Sequence, residues 1–149
     1  MMKIQTGQII QSHSTSADDY FYKAIVCVTE HNTGGSVGFV VNRLFPRTLN
    51  ELEEFARLRP FPLYEGGPVD QSHLYFIHRR PDIIESGNTV SAGLYFGGDF
   101  KQVIQAIAGG SISHNDIRIF VGYCGWDAGE LQQEIERAEW SLTDFDLFS

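Results

Sequence analysis

Positive charge is scarce in this sequence. Lys and Arg total 11 against 19 Asp and Glu, so the formal net charge is −8 and the pI is near 5.0. The densest basic pieces are pairs: Arg43 with Arg47, Arg57 with Arg59, and Arg79 with Arg80. A phosphate backbone attracts cationic surfaces, and that attraction supplies most non-specific affinity for DNA. With no basic stripe, direct nucleic-acid binding is disfavoured.

Long apolar runs are also missing. None approaches the roughly 18 residues of a membrane span, so no membrane contact is expected. Met1–Gly7 lacks an apolar stretch with a small-residue cleavage site, so no signal peptide is read there and a cytoplasmic location is expected. Only two cysteines occur, Cys27 and Cys124. They are too few for a disulfide-stapled fold and are read as buried thiols.

Motifs of cofactor and metal chemistry are absent. There is no H-E-x-x-H and no C-x-x-C. Gly34-Gly35-Ser36-Val37-Gly38 lacks the Lys and Ser/Thr of a phosphate loop. Of His13, His31, His73, His78 and His114, His73 and His78 differ by five and would face opposite sides of one strand. Neither cofactor nor metal is expected.

What is present describes a folded chain. Its 149 residues are 42% hydrophobic and 13% aromatic, which fits one globular domain over 1–149 with no repeat or linker. Ala24–Thr29 is β-branched and apolar throughout and reads as a strand buried on both faces. Asn32-Thr33-Gly34-Gly35 supplies a turn, and Val37–Val41 completes a hairpin. Thr48 with Glu51 makes a capping box ahead of Leu49, Leu52, Phe55, Ala56 and Leu58, which predicts a helix stopped by Pro60 and Pro62. Leu74–His78 reads as a strand, and Thr89–Tyr95 as a weaker one.

Asp99 can cap a helix carrying Phe100, Val103, Ile104, Ile107 and Ala108, closed by Gly109-Gly110. Ile117, Ile119 and Val121 alternate with Arg118 and Phe120 as a strand. Asp127 with Glu130 opens a last helix with Leu131, Ile135 and Ala138. Trp140–Phe148 is expected to dock as an edge strand. Strict βαβ alternation is lacking, so the expected fold is α+β. Its sheet is expected to be mixed or mostly antiparallel, with a curl toward a barrel as an option, and its helices to pack outside.

Three motifs stand out: Gly38-Phe39-Val40-Val41-Asn42-Arg43, Tyr64-Glu65-Gly66-Gly67-Pro68-Val69, and Gly122-Tyr123-Cys124-Gly125-Trp126-Asp127-Ala128-Gly129-Glu130-Leu131-Gln132-Gln133-Glu134-Ile135. In this order and spacing the chain resembles the YqgE/AlgH family of bacterial proteins, over nearly its whole length. The resemblance implies a compact α+β domain with no established reaction or cofactor; some members carry the label of transcriptional regulator. The sequence departs from the family pattern at Leu44, where members often have Pro. It also departs at Cys124, where they usually have Ala or Ser, and at Glu130, where Gln is frequent.

All three motifs sit at strand ends and are expected to converge. The candidate binding residues are Asn42, Arg43, Gly66, Gly67, Pro68, Tyr123, Trp126 and Glu134. They have two readings. In one, Trp126 and Tyr123 plug the core edge and Glu134 pairs with Arg43. In the other, the corner lines a pocket. The leading functional expectation is a non-catalytic binding or regulatory module that contacts a protein partner or small ligand. The alternatives are a DNA-binding regulator, and an enzyme using the corner around Cys124. That corner has a strand-to-helix form like a nucleophile elbow, but its second Gly is one position early and no partner histidine is identifiable.

Overall fold

The structure is a computed structural model, and it describes residues 3–149. The reading of Met1–Gly7 as no signal peptide begins on Met1 and Met2, which lie outside the described residues. Ten strands and two helices follow one another: β1 (Ile9–Ser12), β2 (Ile25–Asn32), β3 (Gly35–Val40), β4 (Leu44–Thr48), β5 (Pro62–Glu65), β6 (Val69–His78), β7 (Asn88–Ser91), β8 (Leu94–Phe96), α1 (Phe100–Gly109), β9 (Ile117–Asp127), α2 (Glu130–Glu136) and β10 (Trp140–Leu142). The fold is α+β, with one parallel pair, β5 with β9, in an otherwise antiparallel sheet.

The spine is β9. One of its edges pairs with β6, and the other is shared: β5 lies along Ile119–Val121 and β3 along Cys124–Asp127. The changeover falls at Gly122, whose φ of 73° breaks the extended strand. From β9 the sheet runs outward through β3, β2 and β1 to β10 on one side, and through β6 and β8 to β7 on the other. It does not close, which corrects the barrel option. Both edges of β1 are taken, by β2 and β10. Gly7 reaches β7 and touches Val90 and Ser91, but β1 has no edge left to pair with it.

Several sequence expectations hold. Val26, Cys27 and Val28 are completely buried, and Asn32 pairs with Gly35 across the hairpin turn. Asp99 caps α1 by accepting from the backbone N–H groups of Lys101 and Gln102, and Gly110 closes it at φ 75°. Within the tail, Trp140–Leu142 docks antiparallel on β1.

Other expectations are corrected. Residues 49–58 form no α-helix but two 3-10 turns, Leu49–Glu51 and Glu53–Phe55, separated by extended Leu52. Leu49, Leu52, Phe55 and Leu58 are spaced by three, which suits three residues per turn, and all four pack on one core cluster. The capping box itself survives at the first of these turns, with the Thr48 N–H donating to Glu51 at 2.6 Å and the Thr48 side chain facing the Glu51 N–H. Thr89–Tyr95 is a hairpin of β7 and β8 instead of one strand. The strand expected over Ile117–Val121 holds within β9, and both of its alternating sets are buried, with Arg118 and Phe120 4% and 0% exposed, because β9 is central and both of its faces are covered. Finally, Asp127 ends β9, and the cap of α2 is Gly129 at φ 77°. The Asp127 N–H still donates to Glu130 at 3.0 Å.

Candidate functional site

The three motifs do meet, backbone against backbone. The Val40 N–H donates to the Gly66 carbonyl at 2.8 Å, and the Gly66 N–H to the Val121 carbonyl at 2.9 Å. Gly38 pairs with Cys124 across β3 and β9. A Cβ on Gly67 would collide with the Tyr123 carbonyl, and one on Gly66 with the Gly122 carbonyl. Gly122 is pinned in return, because its own Cβ would strike the Gly67 carbonyl. The glycines are therefore required by contact, and where they meet the backbones leave no room for a ligand.

The polar motif residues are also occupied. Asn42 accepts from the Ile25 N–H at 3.0 Å and donates to the Lys23 carbonyl at 2.9 Å, tying the start of β2 to the end of β3. Arg43 donates to the carbonyls of Tyr20 and Tyr22 and lies 4.9 Å from the Tyr20 ring centre. The expected Glu134–Arg43 pair does not form. Glu134 Oε1 instead accepts the indole N–H groups of Trp126 at 3.1 Å and Trp140 at 2.9 Å. Phe21 stacks on Trp126 at 6.0 Å and meets Trp140 edge-on at 5.1 Å. Trp126 is buried in this aromatic cluster, while Tyr123 is half-buried against Tyr75 at 5.6 Å. Pro68 is exposed, just ahead of β6.

The Cys124 corner is not built for nucleophilic chemistry. Its thiol is 1% exposed and donates to the Gly66 carbonyl at 3.3 Å. Burial pushes its pKa up to about 12, so the nucleophilic thiolate is a negligible species at neutral pH. Cys27 is buried with a pKa likewise near 12, and both cysteines are free. His73 and His78 lie on β6, the first exposed and the second fully buried. Among the described residues, no group of three or more His, Cys, Asp or Glu side chains could hold a metal ion.

A second polar cluster caps the bulge at the start of β6. Asp70, at φ 53°, accepts from Tyr75 Oη and contacts His73 Nδ1 at 2.8 Å. Ser72 Oγ contacts the same ring nitrogen at 3.3 Å. A Ser–His–Asp relay needs both imidazole nitrogens, so this cluster is no triad. The Tyr75 and His73 hydrogen bonds hold the Asp70 carboxyl below its usual range, and burial helps to push Tyr75 up to about 12.

That bulge forms one lip of a groove of about 760 Å³. Its apolar lining comes from Phe45, Leu52, Phe55, Leu74, Phe76, Phe100 and Val121, and its rim carries Arg47, Glu53, Glu54, Gln71, Ser72 and His73. Gln71 donates to the Gly67 carbonyl at 2.9 Å, which couples this lip to the glycine contact. The sequence did not single out the groove, because its lining is gathered from five separate elements, β4, the 3-10 turns, β6, α1 and β9. None of the candidate residues named from the motifs lines it.

The AlgH-like family profile matches residues 9–147. A UPF0301 protein of Chlorobium phaeobacteroides is 34% identical over 144 residues, which is 95% of this chain and 76% of the relative. One from Parabacteroides distasonis is 36% identical over 139 residues, covering 92% and 70%. The solution structure of the AlgH protein from Pseudomonas aeruginosa is 27% identical, with a TM-score of 0.75, over 99% of this chain and 85% of that one. A crystal structure of a Corynebacterium diphtheriae protein shares the fold, with a TM-score of 0.77 at 16% identity, covering 99% and 85%. On its sequence match, this chain belongs to the AlgH-like family.

Proposed function

We propose that residues 1–149 act as one non-catalytic, cytoplasmic binding domain, and that its ligand enters the groove between the 3-10 turns, β6 and α1. The observation that carries this is the groove itself: about 760 Å³, with seven apolar side chains in its lining and polar groups at its rim. That size and polarity suit a small, mainly apolar molecule. In this reading Asn42, Arg43, Gly66, Gly67, Pro68, Tyr123, Trp126 and Glu134 serve binding indirectly, by holding the frame from which Gln71 positions the lip. A buried thiol with a raised pKa argues against the enzyme alternative, and a net charge of −8 against direct DNA binding. Among the described residues, no helix is long and apolar enough to cross a membrane.

The test is a fragment screen by NMR with Phe45→Glu as control. Apolar aromatic fragments are expected to shift the amides of Leu52, Phe55, Leu74 and Phe100 in the wild type. Phe45→Glu is expected to abolish those shifts while keeping the amide pattern of the rest of the fold, with some loss of melting temperature because Phe45 packs on the core beneath the groove. Fragments that shift only residues elsewhere would contradict the proposal.

A further inference from the structure

Two carboxylates that line one cavity each use one oxygen to hold an aromatic wall and keep the other open. The cavity, of about 470 Å³, lies between the segment joining β1 to β2 and the turn from α2 into β10. Phe21 and Trp140 supply its aromatic wall and meet edge-on at 5.1 Å. Glu134 Oε1 accepts the indole N–H of Trp140 at 2.9 Å and that of Trp126 at 3.1 Å. Asp19 Oδ1 accepts the Phe21 N–H at 2.9 Å. Among the described residues neither Glu134 Oε2 nor Asp19 Oδ2 takes a hydrogen bond, and neither side chain forms an ion pair. Among the same residues no buried side-chain oxygen lacks a partner, so both open oxygens reach accessible space.

The rest of the lining sets the sign of the charge that fits. No Lys or Arg lines the cavity, and His13, the one basic side chain there, contacts Ser141 Oγ at 2.7 Å. The third carboxylate of the lining, Glu139, is already paired with Arg137 at 2.6 Å. Ser14 and Thr15 add hydroxyl acceptors. An anion is repelled here, whereas a cation meets uncompensated negative charge. A metal ion does not suit the place, because among the described residues no group of three or more His, Cys, Asp or Glu side chains could hold one. An alkylammonium suits both halves of the lining. Its N–H groups donate to carboxylate and hydroxyl oxygens, and its charge and methylenes lie against the rings. The volume lies in the range of small-molecule sites.

We infer that this cavity is a binding site for an aliphatic diamine. One ammonium group hydrogen-bonds to Glu134 Oε2 and the other to Asp19 Oδ2, and the alkyl chain between them packs on Phe21 and Trp140. Two open oxygens on separate elements call for two separated charges, which a single ion does not offer. Because Oε1 and Oδ1 are fixed by the indoles and the Phe21 N–H, the carboxylates and the rings are positioned before the ligand arrives, which lowers the ordering cost of binding. The site is independent of the groove, with which it shares no lining residue.

The test is an NMR titration of the full chain with putrescine, with n-butylamine and magnesium chloride as controls at matched ionic strength. Putrescine is expected to shift the Trp140 indole N–H and the amides of Phe21 and Ala138 along one saturable curve. The single charge of n-butylamine is expected to weaken binding about tenfold. Glu134→Gln keeps an acceptor for the indoles, and Asp19→Asn keeps one for the Phe21 N–H. Each removes one charge and is expected to weaken putrescine about tenfold. Should Glu134→Gln fail to fold, Asp19→Asn, at an exposed position, carries the comparison alone. The absence of a saturable shift at Trp140 would overturn the inference. So would equal affinity for n-butylamine, the same shifts from magnesium, or indifference to Asp19→Asn.

Discussion

Glu134 accepts the indole N–H of Trp126 at 3.1 Å, and the same oxygen serves Trp140 at 2.9 Å. One carboxylate on α2 thereby fastens the end of β9 to the edge strand β10. Hydrogen bonds to a charged group contribute roughly 1.5–3 kcal/mol each, and orphaned buried donors cost a similar amount. Because Glu134 is half-buried, Glu134→Ala is expected to cost about 2–3 kcal/mol. Glu134→Gln keeps an acceptor oxygen and is expected to cost about 1 kcal/mol. Urea denaturation of both variants measures the difference, and equal losses would show that the indole contacts do not matter.

Gly67 and Gly122 are expected to be the least replaceable residues of the family motifs. Each would drive a Cβ into backbone, which a rotamer change cannot relieve. Gly67→Ala and Gly122→Ala are each expected to cost about 3 kcal/mol or more. Gly93, at φ 76° with open space around it, is the control, and Gly93→Ala is expected to cost only about 1 kcal/mol, from backbone strain. Thermal melts of the three variants give the ranking. A Gly93→Ala loss as large as the others would mean that conformation, not contact, selects these glycines.

His78 should make stability depend on pH in one particular window. Its ring is fully buried, contacts the Gly97 carbonyl through Nε2 at 3.1 Å and accepts the Arg80 N–H through Nδ1 at 3.1 Å. Burial pushes its pKa below the usual range, against the Gly97 contact, which works the other way. The unfolded chain therefore takes up the proton first as the pH falls below about 6.5. The stability due to neutral His78 is complete above that pH and is lost progressively below it. Asp70 and Asp82 have lowered pKa values, so their contributions are lost only at more acidic pH. The melting temperature is expected to drop between pH 7.5 and 5.5, and His78→Gln to flatten that drop. An unchanged drop would assign it to other groups.

Trp126→Ala and Cys124→Ala should separate sharply. Removing a buried indole costs roughly 3–5 kcal/mol, whereas losing one buried sulfur costs about 1 kcal/mol. Comparable melting temperatures for the two variants would contradict the role of Trp126 as the plug of its aromatic cluster.

The strands and their turns were readable where one local signal decided them, as at Asn32–Gly35 and at Asp99. The sequence misled where tertiary context decided. Residues 49–58 carry a helix pattern behind a capping box, yet the core they cover selects a repeat of three. The burial of Arg118 was not readable, because nothing local shows that β9 is paired on both edges and covered on both faces. The motif residues were rightly expected to meet. Their partners were not readable, because Glu134 reaches Trp140 and Arg43 reaches Tyr20 only through the folded topology. The groove was invisible for the same reason.

The central claim is that the motif corner is a frame and not a reaction centre, and the reactivity of Cys124 tests it most directly. The native chain is treated with a thiol reagent at neutral pH, and labelling at Cys124 and Cys27 is separated by peptide mass mapping. With the Cys124 thiol 1% exposed and its pKa near 12, labelling is expected to be far slower than for a free cysteine and to accelerate only as the protein unfolds. Rapid stoichiometric labelling of Cys124 in the folded protein, faster than a free cysteine, would contradict the account and make this corner a catalytic site.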